Sequence, residues 1–291
     1  MYKFLSLFLV FLINTSVFAN EIRPISADIL KKLTENYPVS NLSHCADIEK
    51  GLVEISINFY GVDNKAHTDG LIIVHKSVAP RVLKIFNELL NLQFNVLGVY
   101  PFKGLAIENN AFTIEDDYNY SVSYACRSIV GSKHHSKHSF GMAIDLNPLF
   151  NPYVKTNANK TKTIVPKNGE FFVDKLTNKP NKADKIGVIN PKVVKIFKQN
   201  GFTTWGGNWR NPIDSHHFEF GDALAELLVA MKDNDGEKMF ELHVRYFNKT
   251  NKDIVKLMLT NFEVKSAKEL IEIYKINHRK FLNKVRFITS M

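Results

Sequence analysis

The chain has 291 residues, 45% of them hydrophobic and 12% aromatic. That excludes a disordered or low-complexity chain and supplies a substantial core, in one large domain or two ordinary ones. A formal net charge of +9 turns the search for partners toward anionic ones.

The N-terminus, MYKFLSLFLVFLINTSVFAN, offers Lys3, an apolar run from Phe4 to Ile13 and a small-residue site at Val17-Phe18-Ala19. This predicts a secretory signal peptide over residues 1–19, with an uncleaved anchor as the alternative. Export would place the mature chain in the periplasm or cell envelope. There its positive charge fits a weak contact with an anionic envelope surface better than it fits nucleic acid. Cys45 and Cys126, an even pair in an oxidising compartment, are either one disulfide or two buried thiols.

Ser26 caps a short helix reaching Tyr37. LVEISINFY (Leu52 to Tyr60) alternates like a half-buried strand, and GLIIVH (Gly70 to His75) is a second. Ala79 to Phe94 has Pro80 in its first turn and Val82, Ile85, Phe86, Leu89 and Leu90 on one helical face. Asn95 to Tyr100 and Phe140 to Leu146 are further strands, the latter interrupted by Gly141. A Lys-rich loop without clear period runs from Lys155 to Lys185. Asn190-Pro191 opens a helix that Gly201 stops.

From Asp222 the pattern turns helical, with Leu224, Leu227, Leu228 and Met231 repeated by Ile254, Leu257, Met258 and then Leu270, Ile273 and Tyr274. The fold expected is α+β, a central antiparallel sheet flanked by helices. It occupies residues 20–221 and is followed by a helical extension of unknown role over 222–291.

Chemistry concentrates in two stretches. SKHHSKHSFGMAIDLNP places His134, His135 and His138 near Asp145, and DSHHFEF places His216 and His217 near Asp214. A catalytic zinc takes three protein ligands and keeps a fourth position open. His138 and Asp145 can supply two of them, but seven residues is an odd step along a strand. His138 must therefore precede the strand, or Gly141 must bend it. His217 can be the third ligand, and Asp214, three residues earlier, an acid–base group beside it. Strand alternation aims His216 away from His217, and His134 and His135 read as solvated loop residues. Glu219 is either a support for the ligands or a surface carboxylate, and Trp205 and Trp209 are either core or pocket wall.

SKHSFGMAIDLNP, FNPYV, WGGNW and DSHHF together resemble the zinc D-alanyl-D-alanine carboxypeptidases of the VanY/VanX type and related phage peptidoglycan endopeptidases. Their pattern is Ser-x-His-x(6)-Asp followed by an acidic residue three before a second His. The likeness runs from about Cys45 to Gly221. It implies one zinc per chain on His138, Asp145 and His217, with Asp214 as general base and acid. It also implies that Arg127 steadies the substrate and oxyanion, and that Ser136 hydrogen-bonds the substrate. The activity implied is removal of the terminal D-Ala from peptidoglycan stem peptides. The alternatives are an L-alanyl-D-glutamate or cross-link endopeptidase and a non-catalytic wall-binding module.

Overall fold

A computed structural model describes residues 20–36, 50–101, 119–127, 129, 134–180, 186–231 and 235–246. Its longest strands, β2 (Leu52–Gly61) and β3 (Ala66–His75), pair antiparallel with Ile55 opposite Ile72 and Leu52 opposite His75. Ile55, Ile57, Phe59, Ile72 and Val74 join one core with Val82, Ile85, Phe86 and Leu89 of helix α2 (Ala79–Asn91). Ile73 and Leu52 join a second cluster with Ile29, on helix α1 (Ala27–Asn36), Tyr124 and Cys126. Burial of both faces is why GLIIV reads as an unbroken apolar run rather than an alternation.

Along the other edge of β2 run β1 (Ile22–Pro24), antiparallel, and β4 (Asn95–Val96), parallel at Tyr60 and Gly61. The main sheet is thus antiparallel except for this one pair. The strand expected over Asn95 to Tyr100 is only two residues long, because the Leu97 N–H is taken by the Asn147 side chain (3.0 Å) instead of a ladder.

Two smaller antiparallel sheets complete the α+β architecture. One has the order β5 (Ile144–Asp145), β10 (His217–Glu219), β8 (Thr204–Trp205). The other has the order β7 (Lys162–Val165), β6 (Tyr153–Thr156), β9 (Ile213–Asp214).

Two expectations are corrected here. The Lys-rich segment is not an irregular loop throughout, since it holds the β6–β7 hairpin, with Tyr153 opposite Val165 and Thr156 opposite Lys162. Its alternation was hidden because Lys and Thr, not apolar residues, fill the exposed positions. Nor is Phe140 to Leu146 a continuous strand. Residues Lys137–Phe140 form a single 3-10 turn, Gly141 reverses the backbone at φ 63°, and only Ile144–Asp145 pair as β5.

Helix α3 (Pro191–Gln199) begins as expected, with Asn190 Oδ1 accepting from the N–H groups of Lys192 and Val193. Helices α4 (Asp222–Ala230) and α5 (Asp235–Tyr246) pack into the same core as the main sheet, through Ala225, Leu227, Leu228, Met231, Met239 and Phe240. Phe240 sits among Phe202, Phe220 and His243, and Arg81 of α2 pairs with Glu241 of α5. The start of the segment read as an extension is therefore part of the folded body.

Residues 1–19, Cys45 and the helical pattern beyond 246 lie outside the described residues. Among the described residues no helix is long and apolar enough to cross a membrane.

If α5 shares this core, Phe240→Ala should lower the stability of the whole body by about 3–5 kcal/mol, as truncation of a buried aromatic does. Denaturant unfolding followed by tryptophan fluorescence reports on Trp205 and Trp209, which lie outside α5. An unchanged midpoint would mean that α5 unfolds on its own.

Candidate metal centre

Ser136 caps the 3-10 turn, its hydroxyl oxygen accepting from the His138 N–H (3.3 Å). The turn closes at Gly141, whose N–H donates to the His138 carbonyl (3.0 Å) and whose own carbonyl accepts from the His75 N–H (3.0 Å). A Cβ at Gly141 would meet that same His75 nitrogen at 2.7 Å, at a φ that L side chains rarely adopt. The turn is thereby pinned to the end of β3. The odd seven-residue step is resolved in the way the sequence allowed: His138 precedes the strand, and Gly141 turns the chain before Asp145.

Asp145 then meets His217 directly, because β5 and β10 pair in the register His217 opposite Asp145. His138 Nε2, Asp145 Oδ1 and His217 Nδ1 converge, with separations of 3.2 Å (His138 to His217), 3.2 Å (His138 to Asp145) and 3.0 Å (His217 to Asp145). A tetrahedral zinc with bonds of about 2.0–2.1 Å holds its ligand atoms roughly 3.3 Å apart. These three groups fit such an ion and are the one group of metal-binding side chains among the described residues.

Each imidazole is held by its other nitrogen. His138 Nδ1 donates to the Ser123 carbonyl (2.5 Å), leaving the Nε2 lone pair facing the cluster. His217 Nε2 donates to Glu219 Oε2 (2.9 Å), leaving Nδ1 inward. Glu219, two residues along β10 and so on the same face, also accepts from Lys137 Nζ (3.0 Å), which in turn lies 2.6 Å from Asp222 Oδ1 of α4. Glu219 is thus a support for the ligand, the reading the sequence left open.

His216 corrects another expectation. Ser215 and His216 form the turn between β9 and β10, so strand alternation does not govern them. His216 is buried; its Nδ1 donates to the Asn151 carbonyl (2.9 Å), and its Nε2 lies 2.9 Å from Asp214 Oδ1 and 3.7 Å from Asp145 Oδ2. Asp214 Oδ1 is buried and has no hydrogen bond among the described residues beyond this ion pair. Both carboxylates therefore face one imidazole nitrogen.

Gly206 backs Asp214 so closely that a Cβ would meet the Asp214 carbonyl oxygen at 2.4 Å. This is a physical reason for the glycine in WGGNW. Trp205 Nε1 donates to the Ser215 carbonyl (2.8 Å) and its ring lies parallel to Phe218, placing it with the core. The Trp209 ring lies 5.5 Å from that of His217 and walls the site.

The remaining expected residues are placed less directly. Arg127 is exposed; its backbone, through Ser136 N–H and the Ser139 hydroxyl, is what ties it to the turn. His134 is exposed, and the His135 ring packs edge-on to Phe140, so neither joins the cluster.

Electrostatics follows from this enclosure. Burial pushes the Asp145 carboxyl upward, but His138 and His216 hold it well below the ordinary carboxylate range. Burial pulls the His216 and His217 values down, yet the facing carboxylates lift His216 to about 9 and His217 to about 10. A metal ion and a proton would compete for the inward Nδ1 of His217, so apparent metal affinity should climb with pH.

Two histidines and an aspartate converging beside a second buried carboxylate define a metal-dependent hydrolase type of site. Residues 130–220 match a family model described as D-alanyl-D-alanine carboxypeptidase, so the resemblance carried by SKHSFGMAIDLNP and DSHHF holds over that stretch and supports a metallopeptidase. The match contains His138, Asp145 and His217 together with Asp214, and begins just after Arg127. No curated protein and no solved structure matches the chain.

His75 gives the turn an acid limit. Its Nδ1 accepts from the Ser77 N–H (3.3 Å), and burial pulls its pKa from 6.5 to about 3. A folded value below the unfolded one means that its stability contribution is complete above pH 6.5 and lost as pH falls toward 3, on the order of 3–5 kcal/mol. Urea midpoints of His75→Asn, which keeps an acceptor but cannot be protonated, should vary less across that window than those of the native chain. Equal slopes would remove His75 from the account.

Proposed function

We propose that the chain is an exported zinc peptidase that removes the terminal D-Ala from D-Ala-D-Ala in peptidoglycan stem peptides. His138, Asp145 and His217 hold the ion, and Asp214 serves as acid and base. The observation that carries the reading is the convergence of these three ligand atoms beside Asp214, within the segment that matches the carboxypeptidase family.

When bound, zinc supplies Lewis-acid polarisation of the scissile carbonyl and of the attacking water. Asp214 takes the water's proton and later delivers it to the leaving amine. His216, anchored on the Asn151 carbonyl, sets the direction in which Asp214 faces. The Ser136 oxygen is occupied by the His138 N–H, and its O–H proton remains for a substrate carbonyl. Arg127 meets the substrate carboxylate or developing oxyanion from the rim, a task suited to a guanidinium that is always charged.

Digestion of purified muropeptides, with the products weighed, tests the reading. Loss of a single D-Ala supports it; cleavage between L-Ala and D-Glu would replace it with the endopeptidase activity; intact substrate would leave a wall-binding module. Asp214→Asn should retain zinc while turnover falls by about a hundredfold to ten-thousandfold, the span of a positioned acid–base group. His138→Ala and His217→Ala should lose the zinc itself, whereas His134→Ala, outside the cluster, should lose neither. Zinc unchanged in the His138 and His217 variants would overturn the ligand assignment.

Export carries a second expectation, a Cys45–Cys126 disulfide. Closing so long a loop contributes roughly 4 kcal/mol in the chain-entropy treatment. Alkylation without reductant, followed by mass measurement, should leave both thiols unmodified.

A further inference from the structure

We propose that residues 155–179 form a docking surface for an anionic lipid bilayer, with Phe171 and Leu176 entering the interface. The two most exposed large apolar side chains among the described residues are on this segment, Phe171 at 83% and Leu176 at 95%. No other exposed apolar side chain there exceeds Ile186 at 48%. The same segment carries Lys155, Lys160, Lys162, Lys167, Lys175 and Lys179, all exposed, against only Glu170 and Asp174.

Neither apolar tip is a loose chain end. Phe171 belongs to a 3-10 turn (Lys167–Phe172) anchored from beneath. Phe172 packs edge-on to Phe150 at 5.1 Å, and Gly169 lies so near Pro152 that a Cβ would meet it at 2.9 Å. Leu176 is presented by a turn that Asp174 closes, its carboxylate accepting from Leu176 N–H (2.9 Å), Thr177 N–H (2.8 Å) and the Thr177 hydroxyl (3.1 Å). These bonds hold the Asp174 carboxylate in the turn, and the six lysines still outnumber the two acidic groups of the segment. Lys162 Nζ donates to the Lys175 carbonyl (3.1 Å), tying hairpin and turn into one platform.

Exposed apolar tips on a segment this rich in lysine are the composition of a peripheral bilayer contact. The cations meet anionic headgroups, and the apolar groups reach the acyl boundary. An acidic soluble ligand would use the lysines but gives no role to Phe171 and Leu176. The platform continues through β6 into β9, where Tyr153 pairs with Asp214 and Val154 with Ile213. A bilayer bound here would thus fix the orientation of the metal centre above it. The inference does not depend on which bond is cut, or on hydrolysis.

The test is flotation of the purified mature chain, residues 20–291, with vesicles of phosphatidylcholine alone and of equal parts phosphatidylcholine and phosphatidylglycerol. Expected is binding to the mixed vesicles that weakens as salt rises. Phe171→Ser and Leu176→Ser should each reduce it about tenfold. Lys167→Gln and Lys175→Gln should each reduce it about fivefold. All four side chains are exposed, so metal content and circular dichroism should match the native chain. Equal binding to both vesicle types would overturn the proposal. So would undiminished binding by the Phe171 and Leu176 variants, since the rest of the chain would then be responsible. Binding to isolated peptidoglycan that these variants weaken, with no vesicle binding, would reassign the surface to a polymer and equally overturn it.

Discussion

The register that sets Asp145 opposite His217 is the constraint on which this protein's chemistry depends. β5 is two residues long and β10 three, too short to hold a register by their own ladder. It is fixed from outside. Phe218 of β10 stacks on Phe197 of α3 at 3.8 Å, and Val122 exchanges backbone hydrogen bonds with Asp145 on the far side. A one-residue slip would turn His217 to the opposite face and bring Phe218 into the cluster. The aromatic core thus does more than stabilise: it selects which side chains meet.

Around that register the site is built as a chain of contacts that leads outward from the ligand atoms. The ligand atoms are innermost. Next come the groups that fix each ring, the Ser123 carbonyl and Glu219, and then Lys137 and Asp222, through which the tie reaches the surface of α4. Each charged group in this chain of contacts is met by a partner of opposite character, which is the condition under which charge can be buried at all. Asp214 Oδ1, 2.9 Å from His216 Nε2, makes no hydrogen bond among the described residues, an arrangement that suits the acid–base role proposed for it.

That His138, Asp145 and His217 come together was legible because they lie in two compact motifs whose spacing has few structural solutions. His138 and Asp145 could share a site only if the chain turned between them, and Gly141 declared that turn. The helices at Pro80 and Pro191 announced themselves through proline and capping residues. What stayed hidden depended on pairing between distant segments. The β6–β7 hairpin had polar alternation on an exposed surface, so apolar periodicity could not reveal it. His216 was misread because two adjacent histidines look like strand residues until the turn at Ser215 is known. Asn147 and Asn151 lie in the quoted SKHSFGMAIDLNP and FNPYV stretches, where the sequence assigns neither a role of its own. Yet Asn147 donates to the carbonyls of Asn95 and Gly187, and Asn151 accepts from the Ile189 N–H while its own carbonyl anchors His216. No local pattern distinguishes such an asparagine from a solvated one.

The Lys137–Asp222 contact draws a boundary question into the chemistry. The segment matching the carboxypeptidase family stops at residue 220, a natural place to end a shortened gene. A chain cut there would keep every ligand and still lose the carboxylate that shares Lys137 with Glu219. It would also lose Phe240 of α5, which packs edge-on to Phe202 and tilted against Phe220. The smallest unit defined by sequence likeness and the smallest unit able to fold are therefore different lengths of chain. Grafting this centre onto another scaffold would have to carry the two helices along.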